Sequence, residues 1–368
     1  MIPFVDAARG GDHMTVTGSC SRIAVVGYGY WGSKHVRVVS SLRDVAVTVV
    51  EADEQRLSEA GAHYPAARLC RSLDEAIDDV DGVVVATPAG SHVAVASAAL
   101  RAGRHVLVEK PLTTTVADAE MLVDLADRSG VHLMTGHTFE YNPAVWKLRE
   151  IVRSGALGRI LYIDAQRLSL GRYQVDVDVV WDLAPHDISI VSFLLDEMPA
   201  TTSVWAKRNV GIRHSDVAHL RLDFPRSRTH AFVHVSWLSP RKVRTVTVIG
   251  ERRMAVYDDI SDNERIRIYD IGVDPATVDD GSGAHGLPMT YRTGDITSPY
   301  VPFEEPLLVQ DGHFVDCIRG DAACRTPGRR GLDVVRVLTA ADRSMTTGLP
   351  AEVTPALDDA TRISAAAS

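Results

Sequence analysis

Four apolar residues, Ile23-Ala24-Val25-Val26, run without a break into Gly27-Tyr28-Gly29-Tyr30-Trp31-Gly32 and then into a helix-like stretch reaching Val39. A short buried strand, a turn holding three glycines and a helix start, in that order, leave few folds open. The glycines permit a tight turn and let backbone N–H groups approach a pyrophosphate at the positive end of the helix. The six-residue pattern alone is weak, but its setting strengthens it. A second strand, Val45 to Val50, ends in Glu51, nineteen residues after Gly32. A carboxylate there can accept hydrogen bonds from both hydroxyls of an adenine ribose, and it repels a 2′-phosphate, which favours NAD over NADP.

The alternation continues. A helix is expected around Glu54 to Ala62, a short strand near Arg68 to Cys70 and a helix from Leu73 to Asp78. The apolar strand Gly82 to Ala86 stops at Thr87-Pro88, and a helix from Ser91 to Ala102 is closed by Gly103. Val106-Leu107-Val108 then runs into Glu109-Lys110-Pro111, followed by a helix from Val116 to Arg128, closed at Gly130, and a strand from Val131 to Thr135. Strands alternating with helices predict a doubly wound parallel sheet with right-handed crossovers. A lone Lys-Pro is ordinarily a surface turn. Here Thr87, Pro88, Glu109 and Lys110 all fall at carboxyl ends of strands, where open α/β sheets bind ligands.

The 368 residues, 45% hydrophobic and 24% charged, fit an ordinary globular chain of two domains. We read residues 1–20 as a loose tail without the apolar core of a signal peptide, 21–142 as a dinucleotide-binding domain and 143–368 as a substrate-binding and oligomerisation domain. A net charge of -9 argues against a nucleic-acid or anionic-membrane partner and weakly allows a cationic substrate. Cys20, Cys70, Cys317 and Cys324 form no C-x-x-C pair, which fits a reducing cytoplasm. No apolar run is long enough to span a bilayer.

From Pro143 the pattern changes to a helix reaching Arg153, a strand from Ile160 to Leu168 and, past residue 200, strands of period two. In Ala231-Phe232-Val233-His234-Val235-Ser236-Trp237 one face is Ala, Val, Val and Trp and the other Phe, His and Ser. Runs near 216–224, 243–249 and 264–270 behave alike. They predict a large, mostly antiparallel sheet with one face under helices and the other free to pair with a second subunit. Residues 271–302, rich in Gly, Pro, Asp and Thr, read as a long loop bordering the substrate, and helices at 307–319 and 331–347 close the chain.

One segment here carries chemistry. Trp181-Asp182-Leu183-Ala184-Pro185-His186-Asp187-Ile188 opens a helix, with Asp182 as N-cap, Pro185 in the first turn and Ile188, Val191 and Leu195 as the apolar stripe. Asp182 and His186 are four apart and share a face. The carboxylate can then orient an imidazole able to accept a proton near neutral pH, unless the pair is a cap beside an unrelated His. His132, His137, His214, His219, His230, His234 and His313 show no metal-ligand spacing, so no metal is expected; His137, just past a strand, is a candidate to face the cofactor.

Together G-Y-G-Y-W-G, A-T-P-A-G-S-H, V-E-K-P-L, G-H-T-F-E-Y-N-P and W-D-L-A-P-H-D-I-S, in order over residues 21–350, resemble the Gfo/Idh/MocA family of nicotinamide-dependent sugar and cyclitol oxidoreductases. Arg167-Leu168-Ser169-Leu170-Gly171 looks like the branch containing nucleotide-sugar 3-dehydrogenases, and enzymes acting on sugars of aminoglycoside pathways are also similar. The resemblance implies an α/β protein, a Rossmann domain joined to an α/β domain whose sheet builds homodimers or homotetramers. It implies Lys110, Asp182 and His186 as catalytic residues. Cofactor contacts would come from Gly27, Tyr28, Gly29, Tyr30, Trp31, Gly32, Glu51, Thr87, Pro88, His92, Glu109, Lys110, His137 and Trp181, and substrate contacts from Arg167, Tyr173 and Asn142. Many relatives have Gly where this chain has Ala184. The expected activity is NAD-dependent oxidation of a secondary ring hydroxyl of a sugar, at C3, to a ketone, with His186 and Lys110 able to exchange the role of base. Two rivals share these motifs: a glycosidase that retains its NAD, and an NAD-binding sensor without turnover.

Overall fold

In the computed structural model, which describes residues 20–354 except 172, 174, 175, 211, 212 and 276–288, β1 (Ser21–Val26) is the spine of the first sheet. The expected tail, Cys20 apart, lies outside the described residues, as does the middle of the 271–302 segment. After β1 come α1 (Tyr30–Ser41), β2 (Val45–Val50), α2 (Glu54–His63), β3 (Arg68–Cys70), β4 (Gly82–Val85), α3 (His92–Arg101), β5 (His105–Val108), α4 (Val116–Ser129) and β6 (Leu133–Thr135). The six strands are parallel, in the order β3-β2-β1-β4-β5-β6. Strand order reverses between β1 and β4, and a crevice opens at the carboxyl ends of strands at such a point. The near-continuous apolar runs of β1, β4 and β5 are buried on both faces, as a sheet covered by helices requires.

Two local expectations are corrected. Residues 73–78 form two 3-10 turns, Leu73–Glu75 and Ile77–Asp79, in place of a helix. Only Leu73 and Ala76 bury there among four acids, too little apolar contact to hold an α-helix. The last strand of the sheet begins at Leu133, two residues later than expected.

The second sheet has nine strands and starts after α5 (Pro143–Arg153), whose N-cap Asn142 accepts from the Ala144 N–H through Oδ1. The elements are β7 (Ile160–Leu170), α6 (Val179–Leu195), β8 (Thr201–Lys207), β9 (Val217–Phe224), β10 (Thr229–Ser236), β11 (Leu238–Gly250), β12 (Met254–Asp258), β13 (Ile266–Tyr269), β14 (Gly272–Pro275), β15 (Met289–Arg292), β16 (Ile296–Thr297), α7 (Pro306–Arg319), α8 (Gly328–Thr347) and β17 (Ala351–Glu352). The order is β16-β13-β12-β11-β7-β10-β9-β8-β17, with β14 and β15 as a separate hairpin. Among the described residues of this sheet only β7 and β10 pair in parallel. The 271–302 segment is therefore not a plain loop: its described parts pair through β14–β15 and β13–β16.

Ile163, Ala165, Val233, Val235 and Val246 bury one face of this sheet beneath α6, while Tyr162, Trp205 and Phe232 stand exposed on the other. Helix α7 returns to lie against α1, and α8 packs on both α4 and β8, so the two sheets share helices. Among the described residues no helix is long and apolar enough to cross a membrane.

Helix α6 begins one turn earlier than expected. Its N-cap is Asp178, whose Oδ1 accepts from the Val180 and Trp181 N–H groups, both at 3.0 Å. Val179 and Val180 are fully buried, and that burial draws them into the helix. Asp182 is thus an interior residue. Pro185 lies in the second turn, where its missing N–H deprives the Trp181 carbonyl of a helical donor.

Candidate active site

The glycine turn after β1 is built for close approach. Gly27 has φ +92°, and a Cβ on it would stand 3.0 Å from the Ala86 carbonyl oxygen; a Cβ on Gly32 would overlap the Gly27 carbonyl oxygen. At Gly29 nothing lies within 4 Å of where a side chain would begin, so that backbone is open to a ligand. Glu51, at the end of β2, accepts from the Tyr28 N–H through Oε2 (2.6 Å) and from the Asp53 N–H through Oε1 (2.9 Å), and is anchored beside the turn with lone pairs to spare. An open backbone at a helix start with a fixed carboxylate nearby fits a dinucleotide.

At the switch point, Thr87 Oγ1 accepts from Ser91 Oγ at 2.9 Å, and Pro88 precedes the 3-10 turn Ala89–Ser91. His92 is buried, with Nδ1 2.9 Å from the Pro111 carbonyl oxygen and Nε2 2.9 Å from that of Thr87. It ties the ends of β4 and β5 together through both ring nitrogens. The Lys110–Pro111 peptide is cis.

Glu109 and Lys110 follow β5. Glu109 Oε1 accepts from His35 Nε2 at 3.0 Å and Oε2 from the Lys110 N–H at 3.1 Å. Its carboxyl sits below the usual range: burial pushes it up, but His35 and then Lys110 outweigh that. Lys110 Nζ donates to the Asp182 carbonyl oxygen at 2.7 Å and lies 3.4 Å from Asp182 Oδ1. The other Asp182 oxygen, Oδ2, accepts from Trp237 Nε1 at 3.1 Å. The expected Asp182–His186 contact is therefore corrected: Lys110 from one sheet and Trp237 from the other hold the carboxylate.

His186 instead packs edge-on against Phe139, with ring centroids 5.2 Å apart, and its Nδ1 is buried with no hydrogen-bond partner. Burial, and after it the nearby ammonium of Lys110, keep its pKa well below the ordinary value. The imidazole is neutral at physiological pH and able to accept a proton. His137 is also buried with both ring nitrogens unpartnered, and desolvation followed by the Arg330 charge lowers it to about 4.

Of these groups Glu109 and His186 line a cavity of about 410 Å³, together with Tyr30, Trp31, Lys34, Phe139, Asn142, Arg167, Lys242, Arg244, Asp259 and Glu305, among others, while Lys110, Asp182 and His137 lie behind its wall. Arg167 lies along Phe139 (4.4 Å) and is clamped by Asp187 through Nε (2.8 Å) and Nη2 (2.9 Å). Asn142 Nδ2 donates to the Tyr257 hydroxyl at 2.9 Å, so its side chain serves the α5 cap and its neighbours. Two expected contacts fall elsewhere. The Trp181 indole N–H donates to Asp342 of α8 at 3.0 Å, and Tyr173, half-exposed, lies against Trp237 with its hydroxyl 3.5 Å from Asp216. Neither lines the cavity.

Sequence reasoning missed His35, Asp311, Lys242, Arg244 and Asp259. His35 had a signal: it continues the buried stripe Gly32, His35, Val36, Val39 of α1, where a His needs a partner. The others come from distant elements and had none.

Comparison with known proteins follows the same lines. The model of an oxidoreductase family with an NAD-binding Rossmann fold matches residues 21–137, and that of the GFO/IDH/MocA C-terminal domain matches residues 145–256. The chain is 31% identical over 179 residues to UDP-N-acetylglucosamine 3-dehydrogenase of Acidithiobacillus ferrooxidans, an alignment covering 48% of this chain and 55% of that protein. Against scyllo-inositol 2-dehydrogenase (NADP(+)) of Bacillus subtilis it is 25% identical over 344 residues, 88% of this chain and 93% of that one. The crystal structure of GenD2 from gentamicin A biosynthesis, in complex with NAD, superposes with a TM-score of 0.77 at 25% identity, covering 95% of this chain and 100% of that one.

Proposed function

The chain belongs to the GFO/IDH/MocA family of oxidoreductases, and from that membership we propose that it is an NAD-dependent dehydrogenase oxidising a secondary ring hydroxyl of a sugar, at C3, to a ketone. Nucleotide-linked and aminoglycoside-type sugars are the substrate classes that the similar proteins suggest. The observation that carries the reading is that Lys110, from the end of β5, reaches Asp182 of α6, one turn before His186, which lines the cavity, close enough that the ammonium depresses the imidazole's pKa.

A nicotinamide dinucleotide bound along the glycine turn would supply the hydride acceptor. The N–H groups of residues 29–32 would hold its pyrophosphate and Glu51 its adenine ribose, the carboxylate favouring NAD by repelling a 2′-phosphate. Thr87, Pro88, Glu109 and His137 stand along the way to the reacting end. In that oxidation neutral His186 would accept the proton of the substrate hydroxyl. The Lys110 ammonium hydrogen-bonds the oxygen as negative charge develops and the C=O bond forms. Asp182 holds Lys110 against α6. Arg167, fixed by Asp187, and Asn142 shape the sugar side of the cavity.

We further propose that the open face of the nine-stranded sheet joins copies of the chain into a homodimer or homotetramer. Its exposed Trp205, Phe232 and Tyr162 form an apolar surface of the kind that marks interfaces. A reducing cytoplasm suits the four free thiols.

The test is cofactor reduction, followed at the reduced-nicotinamide absorbance over UDP-sugars, inositols and aminoglycoside precursors, for the wild type and Lys110→Ala. Turnover of one class and a loss of about 10²–10³ in kcat for the variant are expected. Unchanged activity in Lys110→Ala defeats the mechanism, and an oxidised cofactor persisting through complete turnovers would point to the glycosidase.

A further inference from the structure

His35 plays no part in the mechanism above, yet both of its ring nitrogens are held by buried carboxylates beside the site. It is fully buried, three residues past the glycine turn. Its Nδ1 faces both oxygens of Asp311, at 2.9 and 3.1 Å, and its Nε2 meets Glu109 Oε1 at 3.0 Å. One imidazole thus joins three elements: α1, which opens at the cofactor turn; the end of β5, which carries Lys110; and α7, which returns from the second half of the chain. A neutral imidazole carries one N–H and can donate to only one of two flanking carboxylates, whereas an imidazolium donates to both.

The far side of Glu109 is shaped to receive it. A Cβ on Gly136 would lie 3.1 Å from Glu109 Oε1, so the carboxylate packs closely against this glycine. Glu109 Oε2 receives the Lys110 N–H. The contacts form an unbroken chain: Asp311, His35, Glu109 and the Lys110 backbone.

We infer that His35 is a positioning residue of the reaction: as an imidazolium clamped between Asp311 and Glu109, it keeps Glu109 ionised and so fixes the turn that presents Lys110. The inference rests on the catalytic role proposed for Lys110. Burial disfavours charge on His35, but Asp311 and then Glu109 overcome it and raise the group to about 10. Burial also pushes Asp311 up, and the imidazolium is the form in which both ring nitrogens donate to the carboxylate oxygens they face. The charged and titratable groups facing the trio are Lys110 and His137 beyond Glu109, and Arg37 beside Asp311. Lys110 and Arg37 are cations and favour the ionised carboxylates; neutral His137 leaves that balance unchanged.

Without the imidazolium, Glu109 is a buried carboxylate short of one donor, and its pKa rises toward neutrality. The test therefore reads pH dependence. In His35→Gln we expect kcat to fall about tenfold or more, the weight of one lost charge-assisted contact, with the sugar KM within threefold. We also expect a new acidic limb between about pH 6 and 8 that disappears in the His35→Gln/Glu109→Gln double variant. A merely structural role would lower activity without a limb that Glu109 erases. Asp311→Asn, which keeps the shape, serves if His35→Gln does not fold, and should shift the same limb. A second readout needs no turnover: in 15N-histidine NMR of the wild type, both His35 nitrogens should carry protons at pH 8, and in Asp311→Asn this state should be lost at lower pH. A neutral His35 at pH 8, or a His35→Gln profile of wild-type shape, overturns the inference. If no sugar is oxidised but the NMR result holds, it is the dehydrogenase reading that has failed.

Discussion

Two sides of the candidate site treat buried polar atoms in opposite ways. On the side built by α1, β5 and α7, Glu109, His35 and Asp311 are each satisfied by at least one close partner. On the side built by α6 and the segment after β6, His186 Nδ1 and both nitrogens of His137 are buried and have none. A buried polar group without a partner costs on the order of 1–3 kcal/mol, so a folded protein tolerates it only where something else uses the group. The paired side holds its charges in place. The unpaired side keeps lone pairs free for what binds.

The largest expected effect tests the unpaired side. His186→Ala should cost about 10²–10⁴ in kcat, the usual weight of a general base. Its melting temperature should equal or exceed that of the wild type, because an unsatisfied nitrogen leaves the interior. A large drop in melting temperature with modest kinetic loss would make His186 structural and erase the contrast. Asp182 comes next, since it belongs to the paired side through Lys110 and Trp237. Asp182→Asn should lower kcat about tenfold, roughly 1.4 kcal/mol, and leave the His186 limb of the pH–rate profile where it was. A displaced limb would mean that the carboxylate reaches His186 during turnover.

The contrast also marks what could be read from the sequence. The six-stranded sheet was legible because local rules decide it: an apolar run, a glycine turn and a helix start are neighbours along the chain. Lys110 and His186 could be singled out as candidates because their surroundings are short motifs. The pairing of His35 with Asp311 was not, since 276 positions separate them and only the docking of α7 against α1 brings them together. Asp182 misled for a related reason. Spacing of four puts it on the face of His186, but its carboxylate is claimed by a Lys and a Trp from elsewhere, and no local rule ranks those competitors. The start of α6 was misjudged because two aspartates four apart are both good caps, and the full burial of Val179 and Val180 decided for Asp178.

A smaller effect belongs to the paired side at its far end. Glu51 already accepts two backbone N–H groups, so it is placed before any ribose arrives. Glu51→Ser should shift the ratio of kcat/KM for NAD over NADP by about tenfold toward NADP, the scale of one lost contact and one lost repulsion. A ratio that does not move would assign Glu51 to the turn alone and take cofactor choice away from it.

The smallest effect reads both sides through stability. His35 is raised from an ordinary 6.5 to about 10, so the folded state holds this proton more tightly than the unfolded chain. Its stabilisation is complete below about pH 6.5 and is lost as the pH rises through about 10. His137 is lowered to about 4, so the unfolded chain takes up this proton first, and stability is lost as the pH falls from about 6.5 toward 4. Urea midpoints measured from pH 4.5 to 10 should thus decline on both flanks. His35→Gln should flatten the alkaline flank only, and His137→Gln the acidic one only. If either substitution flattened both flanks, the two sides would titrate as one network, and the division between holding and binding groups would fail.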